Sequence, residues 1–297
     1  MQFRTRHRLA VALAATALCA SAPAFADDGF EEGSVDSTAA ADNYPLGYAA
    51  RPLTMPRGMV RVTFDLNVLR LDLGGFGSDA VVSLNWGAAI APAKNLELGF
   101  SRYRMGAFPG INSIDVLGLG ASGLITAVVS PTGDFGDIPF YARYQVLQSV
   151  VDIALEFRVR FPTLTEWGLA WAVPVRIHAG DVVAFDTGLD LALDGPSNAN
   201  VFSIGIPFDI TGNINENFFL KAQTGVSLPG INEDPTVTIV PLGFGLGGSA
   251  EIGRGMLDAF LNFRFPIFAA FAQNQSEVTT EIWSLIFGLN FYTPVLF

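Results

Sequence analysis

The sequence predicts an all-β fold, a transmembrane antiparallel up-and-down β-barrel of about 12 strands, and three observations support this prediction. First, 50% of the 297 residues are hydrophobic, but they are spread along the chain instead of forming the stretch of about 20 apolar residues that a membrane helix needs. Second, many segments with the length of a barrel strand alternate between apolar and polar residues. Third, the connections between these segments are alternately short and long.

The alternating pattern recurs from the first predicted strand to the C-terminus. In the first segment Val62, Phe64 and Leu66 alternate with Thr63 and Asp65, and a period of two places the two sets on opposite faces of a strand. Each segment is about 10 residues long or slightly longer, as a tilted strand crossing a bilayer requires. The predicted strands begin at or near Val60, Val82, Leu96, Phe140, Val151, Trp167, Val182, Asn200, Phe218, Val237, Leu257 and Glu281.

The predicted connections indicate which end of the barrel faces the periplasm. Short connections belong on the periplasmic side with both chain termini, and long ones belong outside the cell. The longest connection, 106–137, contains the apolar run 117–125, which could form one more hairpin and give 14 strands. An apolar segment between Ile114 and Val129 could instead fold inward as a plug. The predicted short connections are 92–95, 148–150, 179–181, 211–217 and 249–256, and the other long ones are 73–79, 162–166, 194–199, 229–236 and 270–279.

Residues 1–26 have the organisation of a secretory signal peptide. Three arginines precede an apolar core from Leu9 to Leu18, and the small-residue site Ala24-Phe25-Ala26 predicts cleavage after Ala26. The only cysteine of the chain, Cys19, lies in this leader. We therefore expect the mature protein to contain no thiol and no disulfide.

The remaining chain divides into two predicted parts. Residues 27–58 carry acidic residues among Ser, Ala, Gly and Pro without a hydrophobic period, so we expect a flexible acidic segment on the periplasmic side. Residues 59–297 form the predicted barrel. Without the three leader arginines the chain has 14 basic and 28 acidic residues, a formal charge near −14. Such a surface repels phosphate, so we expect no nucleic-acid partner.

The polar face of the alternating pattern contains charges of both signs in nearly equal numbers. If the apolar face contacts lipid, these side chains point into the lumen, where they either line a water-filled pore or pair and close it. Asp152, Glu156, Arg158 and Arg160 form the densest group. The inward basic residues are Arg61, Arg143, Arg158, Arg160, Arg176, Lys221 and Arg264, and the acidic ones are Asp65, Glu97, Asp152, Glu156, Asp186, Asp190, Asp209 and Asp258.

An enzyme or metalloprotein is a weaker interpretation of the same face. His178 is the only histidine after the leader, and no G-x-S-x-G pattern lies near it. A nucleophile-base pair requires a serine within hydrogen-bond reach, and a metal site requires further ligands. We therefore expect no catalytic residue, no metal and no cofactor, with His178 as a lumenal side chain.

The C-terminus carries a resemblance to a known superfamily. Trp283, Leu285 and Phe287 begin an alternation that continues to the terminal Phe297. In this the chain resembles the outer-membrane β-barrels of Gram-negative bacteria, in which such an ending is the signal read by the barrel-assembly machinery. Thr293 and Pro294 depart from the usual pattern.

Two internal segments extend this resemblance. The run Lys94-Asn95-Leu96-Glu97-Leu98-Gly99 and residues 136–163 resemble transporter-like barrels associated with aromatic-degradation operons. The resemblance implies an outer-membrane location, contact with lipid and lipopolysaccharide, and a passive channel for small solutes. A closed barrel with a structural, adhesion or recognition role is the alternative interpretation, and a lipid-acting enzyme is a third.

Overall fold

The fold is known from a computed structural model, which describes residues 44–72, 78–101, 138–161, 168–194, 201–232, 237–272 and 275–297. The predicted leader and the long connection 106–137 lie outside these ranges. Thirteen strands are described: β1 Val60–Asp72, β2 Ser78–Ala93, β3 Leu96–Ser101, β4 Ile138–Leu147, β5 Val151–Phe161, β6 Gly168–Ala179, β7 Val183–Asp194, β8 Val201–Asn213, β9 Phe218–Leu228, β10 Val237–Ile252, β11 Gly255–Ala272, β12 Gln275–Val278 and β13 Trp283–Tyr292.

Twelve of these strands form a closed antiparallel ring. Each strand from β1 to β11 pairs with its neighbours in sequence, β11 also pairs with β13, and β13 pairs with β1. The closing register runs from Arg61 opposite Tyr292 to Arg70 opposite Trp283. The short strand β12 lies outside the ring and extends the far end of β11. The prediction of a 12-stranded up-and-down barrel is therefore confirmed.

The connections divide the barrel into two ends. Residues 94–95, 148–150, 180–182, 214–217 and 253–254 connect strands at one end, which we call the short-turn end. β1 begins and β13 finishes at this end, so the barrel's first and last strands have their chain ends together. The predicted turn 249–256 is wrong in extent, because β10 and β11 continue to a two-residue turn made by Gly253, at a φ of 63°, and Arg254.

The two faces of the wall have the reverse polarity of a water-soluble protein. Phe64 and Leu66 are 49% and 43% exposed on the outer face, whereas Asp65, between them in sequence, is 5% exposed. The same inversion recurs around the ring. A wall with apolar side chains outside and charges inside suits a lipid environment, where a closed ladder leaves no open strand edge. No helix in the described ranges is long and apolar enough to span a membrane.

The structure corrects the prediction of a flexible segment for residues 44–58. Residues 44–57, which we call the lumenal segment, lie against inward-facing side chains at the short-turn end, and Tyr48, Leu53 and Met55 are buried. One 3-10 turn, Tyr48–Ala50, is the only regular element in it. The acidic residues that motivated the prediction all precede Asn43, so the composition changes where the described chain begins.

A charge placed on the outer face should be costly if that face contacts lipid. Leu246 lies in the middle of β10 and is 55% exposed. We expect Leu246→Lys to destabilise the barrel by about 2–4 kcal/mol, whereas Ala250→Lys, near the short-turn end of the same face, should cost about 0–1 kcal/mol. Unfolding in lipid vesicles measures both values. Equal costs for the two substitutions would contradict a lipid-facing outer wall.

Candidate functional site

The candidate site is the lumen, because the wall directs nearly all its charged side chains there. The side chain of Arg160 lies outside the described residues, His178 is half-buried, and Phe297 is exposed beside Gly58 at the short-turn end. The other predicted lumenal residues are buried: Arg61, Asp65, Arg143, Asp152, Glu156, Arg158, Arg176, Asp190, Lys221, Asp258 and Arg264. Whether these residues conduct a solute, and whether Phe297 directs assembly, stay predictions.

Glu156 is the centre of one ion-pair cluster. Its carboxylate accepts hydrogen bonds from Arg143 Nε at 2.5 Å and from Arg158 Nε. Arg158 Nη1 lies 3.7 Å from Asp190, whose carboxylate oxygens accept no hydrogen bond within the described part of the chain. Both guanidinium groups therefore bind Glu156, and Arg158 alone also approaches Asp190.

The dense group predicted on β5 is divided in the structure. Asp152 turns away from Glu156 and lies 3.1 Å from His178 Nε2 on β6, and it also accepts a hydrogen bond from the Ser149 backbone N–H. The pattern places Asp152 and Glu156 on one face, but it cannot show which neighbouring strand supplies the partner of each. Cross-strand register decides this.

Three further ion pairs bridge neighbouring inward positions. Arg176 binds Asp186 through two bonds of 2.6 and 2.7 Å, and Lys221 Nζ lies 2.9 Å from Asp209. Arg61 Nη2 lies 3.2 Å from Glu97, which also accepts a bond from the Tyr141 hydroxyl. Because a buried charge without a partner is costly, loss of either member of such a pair would destabilise the barrel.

Arg51 of the lumenal segment is the most deeply held cation. Its guanidinium makes two bonds to Asp258, at 2.7 and 2.9 Å, and both side chains are 0% exposed. Burial opposes the charged form of Arg51, but the Asp258 carboxylate more than offsets this and raises the pKa of the guanidinium above its ordinary value. Arg51 therefore stays charged and fixes the segment to β11.

The rest of the segment is held by packing and by strand side chains. The Tyr48 ring stacks on Phe219 with centroids 4.5 Å apart. Thr54 bonds to Gln145 through both its backbone N–H and its hydroxyl, at 3.1 and 2.9 Å. None of residues 44–57 belongs to a strand, and the backbone hydrogen bonds from this part of the chain to β2 begin at Gly58. Residues 44–57 can therefore leave without breaking a backbone pairing of the barrel wall.

The sequence analysis missed Tyr48, Arg51 and Gln145 as lumenal residues. Gln145 continues the inward alternation of β4, but its side chain is uncharged, and the prediction of inward residues was based on charged side chains. The segment 43–59 contains two arginines, two tyrosines, two leucines and two methionines but no acidic residue. This change in composition, from acidic residues to apolar and basic ones, indicates that the segment is buried.

Metal binding in the described ranges depends on how the His, Asp and Glu side chains are grouped, and the surroundings of His178 show which groups it contacts. No group of three or more His, Asp or Glu side chains there could hold a metal ion. Both ring nitrogens of His178 are engaged, Nδ1 with the Ala49 carbonyl at 3.0 Å and Nε2 with Asp152. A serine nucleophile would have to displace one of these partners.

The Glu156 cluster predicts unequal effects for two similar substitutions. Glu156→Gln removes a carboxylate from between two buried guanidinium groups and should destabilise the barrel by about 3–5 kcal/mol. Asp190→Asn removes a buried carboxylate with unfilled hydrogen bonds, so it should have little effect or stabilise the barrel. Thermal unfolding of detergent-solubilised protein measures both. An equal loss from the two variants would contradict the central role of Glu156.

Comparison with known proteins finds similarity in structure alone. No family model matches the chain, and no curated protein matches its sequence. Among solved structures, the chain is similar to an outer membrane channel from Pseudomonas putida F1 at 13% identity and a TM-score of 0.48, over 84% of this chain and 97% of that one. The NanC porin follows at 10% identity and a TM-score of 0.47, over 77% and 98%.

A third solved structure is the CymD monoaromatic hydrocarbon channel, at 7% identity and a TM-score of 0.37, over 86% of this chain and 92% of that one. With a closed ring of twelve antiparallel strands, an apolar outer face and a charged interior, the chain has the fold of the outer-membrane β-barrels that its sequence resembles.

Proposed function

We propose that this protein is a passive outer-membrane channel for small solutes, and that the lumenal segment closes its short-turn end in the state described. The observation that carries this proposal is the way the segment is held. It lies inside a complete barrel and is bound by side chains, outside the ladder that forms the wall. A removable occupant of the lumen is what a gated passage needs.

The proposed setting follows from the sequence. After export and cleavage near Ala26, the barrel-assembly machinery inserts the chain into the outer membrane of a Gram-negative bacterium. Its outer wall then contacts lipid, and its long connections contact lipopolysaccharide. The short-turn end faces the periplasm, so the lumenal segment closes the barrel from the periplasmic side.

The buried ion pairs favour a closed barrel with a structural or recognition role as the second candidate function. The Glu156, Asp186 and Asp209 pairs persist when the lumenal segment leaves, because all their members belong to strands. If these ion pairs close the lumen without the segment, then removing the segment produces no open pore. The two candidates therefore differ in one measurable property, the current through a barrel whose segment has been released.

Release of the segment can be controlled with a disulfide. A Cβ placed at Gly47 would lie 3.5 Å from Asn213 Cγ, and the chain has no cysteine beyond Cys19 of the leader. We expect the oxidised double variant Gly47→Cys, Asn213→Cys to carry no current in planar bilayers, because the bond fastens the segment to β8, and its reduction to restore the current of wild type. A variant lacking residues 44–57 should conduct without a reductant. Each single variant is the control and should ignore the reductant.

The contrary outcome is equally defined. If the reduced double variant and a variant lacking residues 44–57 both fold as barrels but carry no current, the channel is excluded and the closed barrel stands. Full lipid-hydrolysing activity in either variant would instead favour the enzyme.

A further inference from the structure

The barrel binds the lumenal segment as a receptor binds an extended peptide. Most of its polar contacts recognise the peptide backbone, which every peptide possesses, and they supply both donors and acceptors. Side chains donate to carbonyl oxygens from Arg143 to Leu53 (3.0 Å), from Arg176 to Arg51 (2.9 Å) and from His178 to Ala49 (3.0 Å). Side chains accept backbone N–H groups at Asn213 from Ala49 (3.1 Å), at Gln145 from Thr54 (3.1 Å) and at Glu97 from Met55 (3.3 Å).

The one strongly recognised side chain is a guanidinium. Besides the two bonds to Asp258, Arg51 Nη2 donates to Ser249 Oγ at 2.9 Å and approaches Met256 Sδ at 3.2 Å, and its Cζ lies 5.5 Å from the Tyr292 ring centroid. These four partners belong to β10, β11 and β13 and stay in place when the segment leaves, whereas the Pro45 and Leu46 carbonyls, which also accept from Arg51, leave with it. A planar fork bound by a carboxylate, with an aromatic ring beside it, suits guanidinium better than ammonium.

The segment is tethered to this pocket through β1. A short tether gives a bound group an effective concentration of about 1 mM or more, so a free ligand competes only when it is similarly abundant. Carboxylates at Asp258 and Glu97 disfavour acidic peptides at the same place. The site therefore selects ligands that carry a positive charge and a peptide backbone, and it binds them with low affinity.

We propose that the short-turn half of the lumen is a binding site for short arginine-containing peptides, which residues 45–55 occupy in cis. This inference rests on the proposed channel, for which it names a solute class. A cationic peptide that displaces the segment makes the same contacts with the wall side chains as it passes through the short-turn end.

The guanidinium pocket can be tested by chemical rescue in the full-length protein. Arg51→Ala removes the guanidinium and leaves Asp258 in place. We expect millimolar ethylguanidinium to raise the thermal unfolding midpoint of this variant, and ethylurea, its neutral counterpart, to leave it unchanged. Wild type, with its pocket filled, should not respond. Adding Asp258→Asn should abolish the rescue.

Arg57→Ala is the matched control, because it removes the same charge from the same segment at an exposed position. The guanidinium pocket would be contradicted if ethylguanidinium also raised the unfolding midpoint of Arg57→Ala. It would be contradicted too if ethylurea raised the midpoint of Arg51→Ala equally.

A second measurement uses wild type, in case Arg51→Ala does not fold. Tyr48 is buried, so the segment should resist chymotrypsin there. N-acetyl-Ala-Arg-Pro amide, which copies residues 50–52, should accelerate cleavage after Tyr48 several-fold at millimolar concentration, and the same peptide with citrulline in place of arginine should not. Unchanged cleavage, or acceleration by both peptides, would overturn the proposal.

Both readouts measure binding and not current. A barrel that binds the arginine peptide without conducting would exclude the channel and keep the site. A barrel that conducts after release of the segment but binds neither probe would keep the channel and exclude this solute class.

Discussion

The structure depends on the closure of one ring of backbone hydrogen bonds. In lipid no water is available to an unpaired strand edge, so each of the twelve ring strands needs two neighbours. The pairing of β1 with β13 supplies the last of them. The chain ends reinforce this seam, since Gly58 bonds to both Ala91 and Leu296. Once the ring closes, its inward and outward faces are fixed for every strand, and all other features of the interior follow.

Closure turns the charges of the polar face toward one another in a small space. Each must then find a partner, because the alternative is a bare charge away from bulk water. Glu156 serves Arg143 and Arg158, Arg176 binds Asp186, and Lys221 binds Asp209. These pairs connect neighbouring strands across the inner face of the wall.

The lumenal segment completes this interior. The sequence pattern predicts seven basic and eight acidic residues at inward strand positions, and Arg51 brings the two signs to equal numbers. Its partner, Asp258, is a buried wall residue of β11. These contacts order the segment, and because wall side chains make them, they are separate from the strand ladder.

The sequence by itself determined the barrel, because alternation with a period of two is a local property that survives in any strand pairing. It identified eleven of the twelve ring strands within a few residues of their starts, and β2, whose alternation is weakest before Val82, begins at Ser78. It missed β12, since four exposed residues outside the apolar band carry no such period. It also gave the inward faces of Asp152 and Glu156. Only the tertiary structure decided their partners, because cross-strand register selects between the two neighbouring strands. It also decided the place of Arg51, whose partner Asp258 is 207 positions away and comes near only when the ring closes.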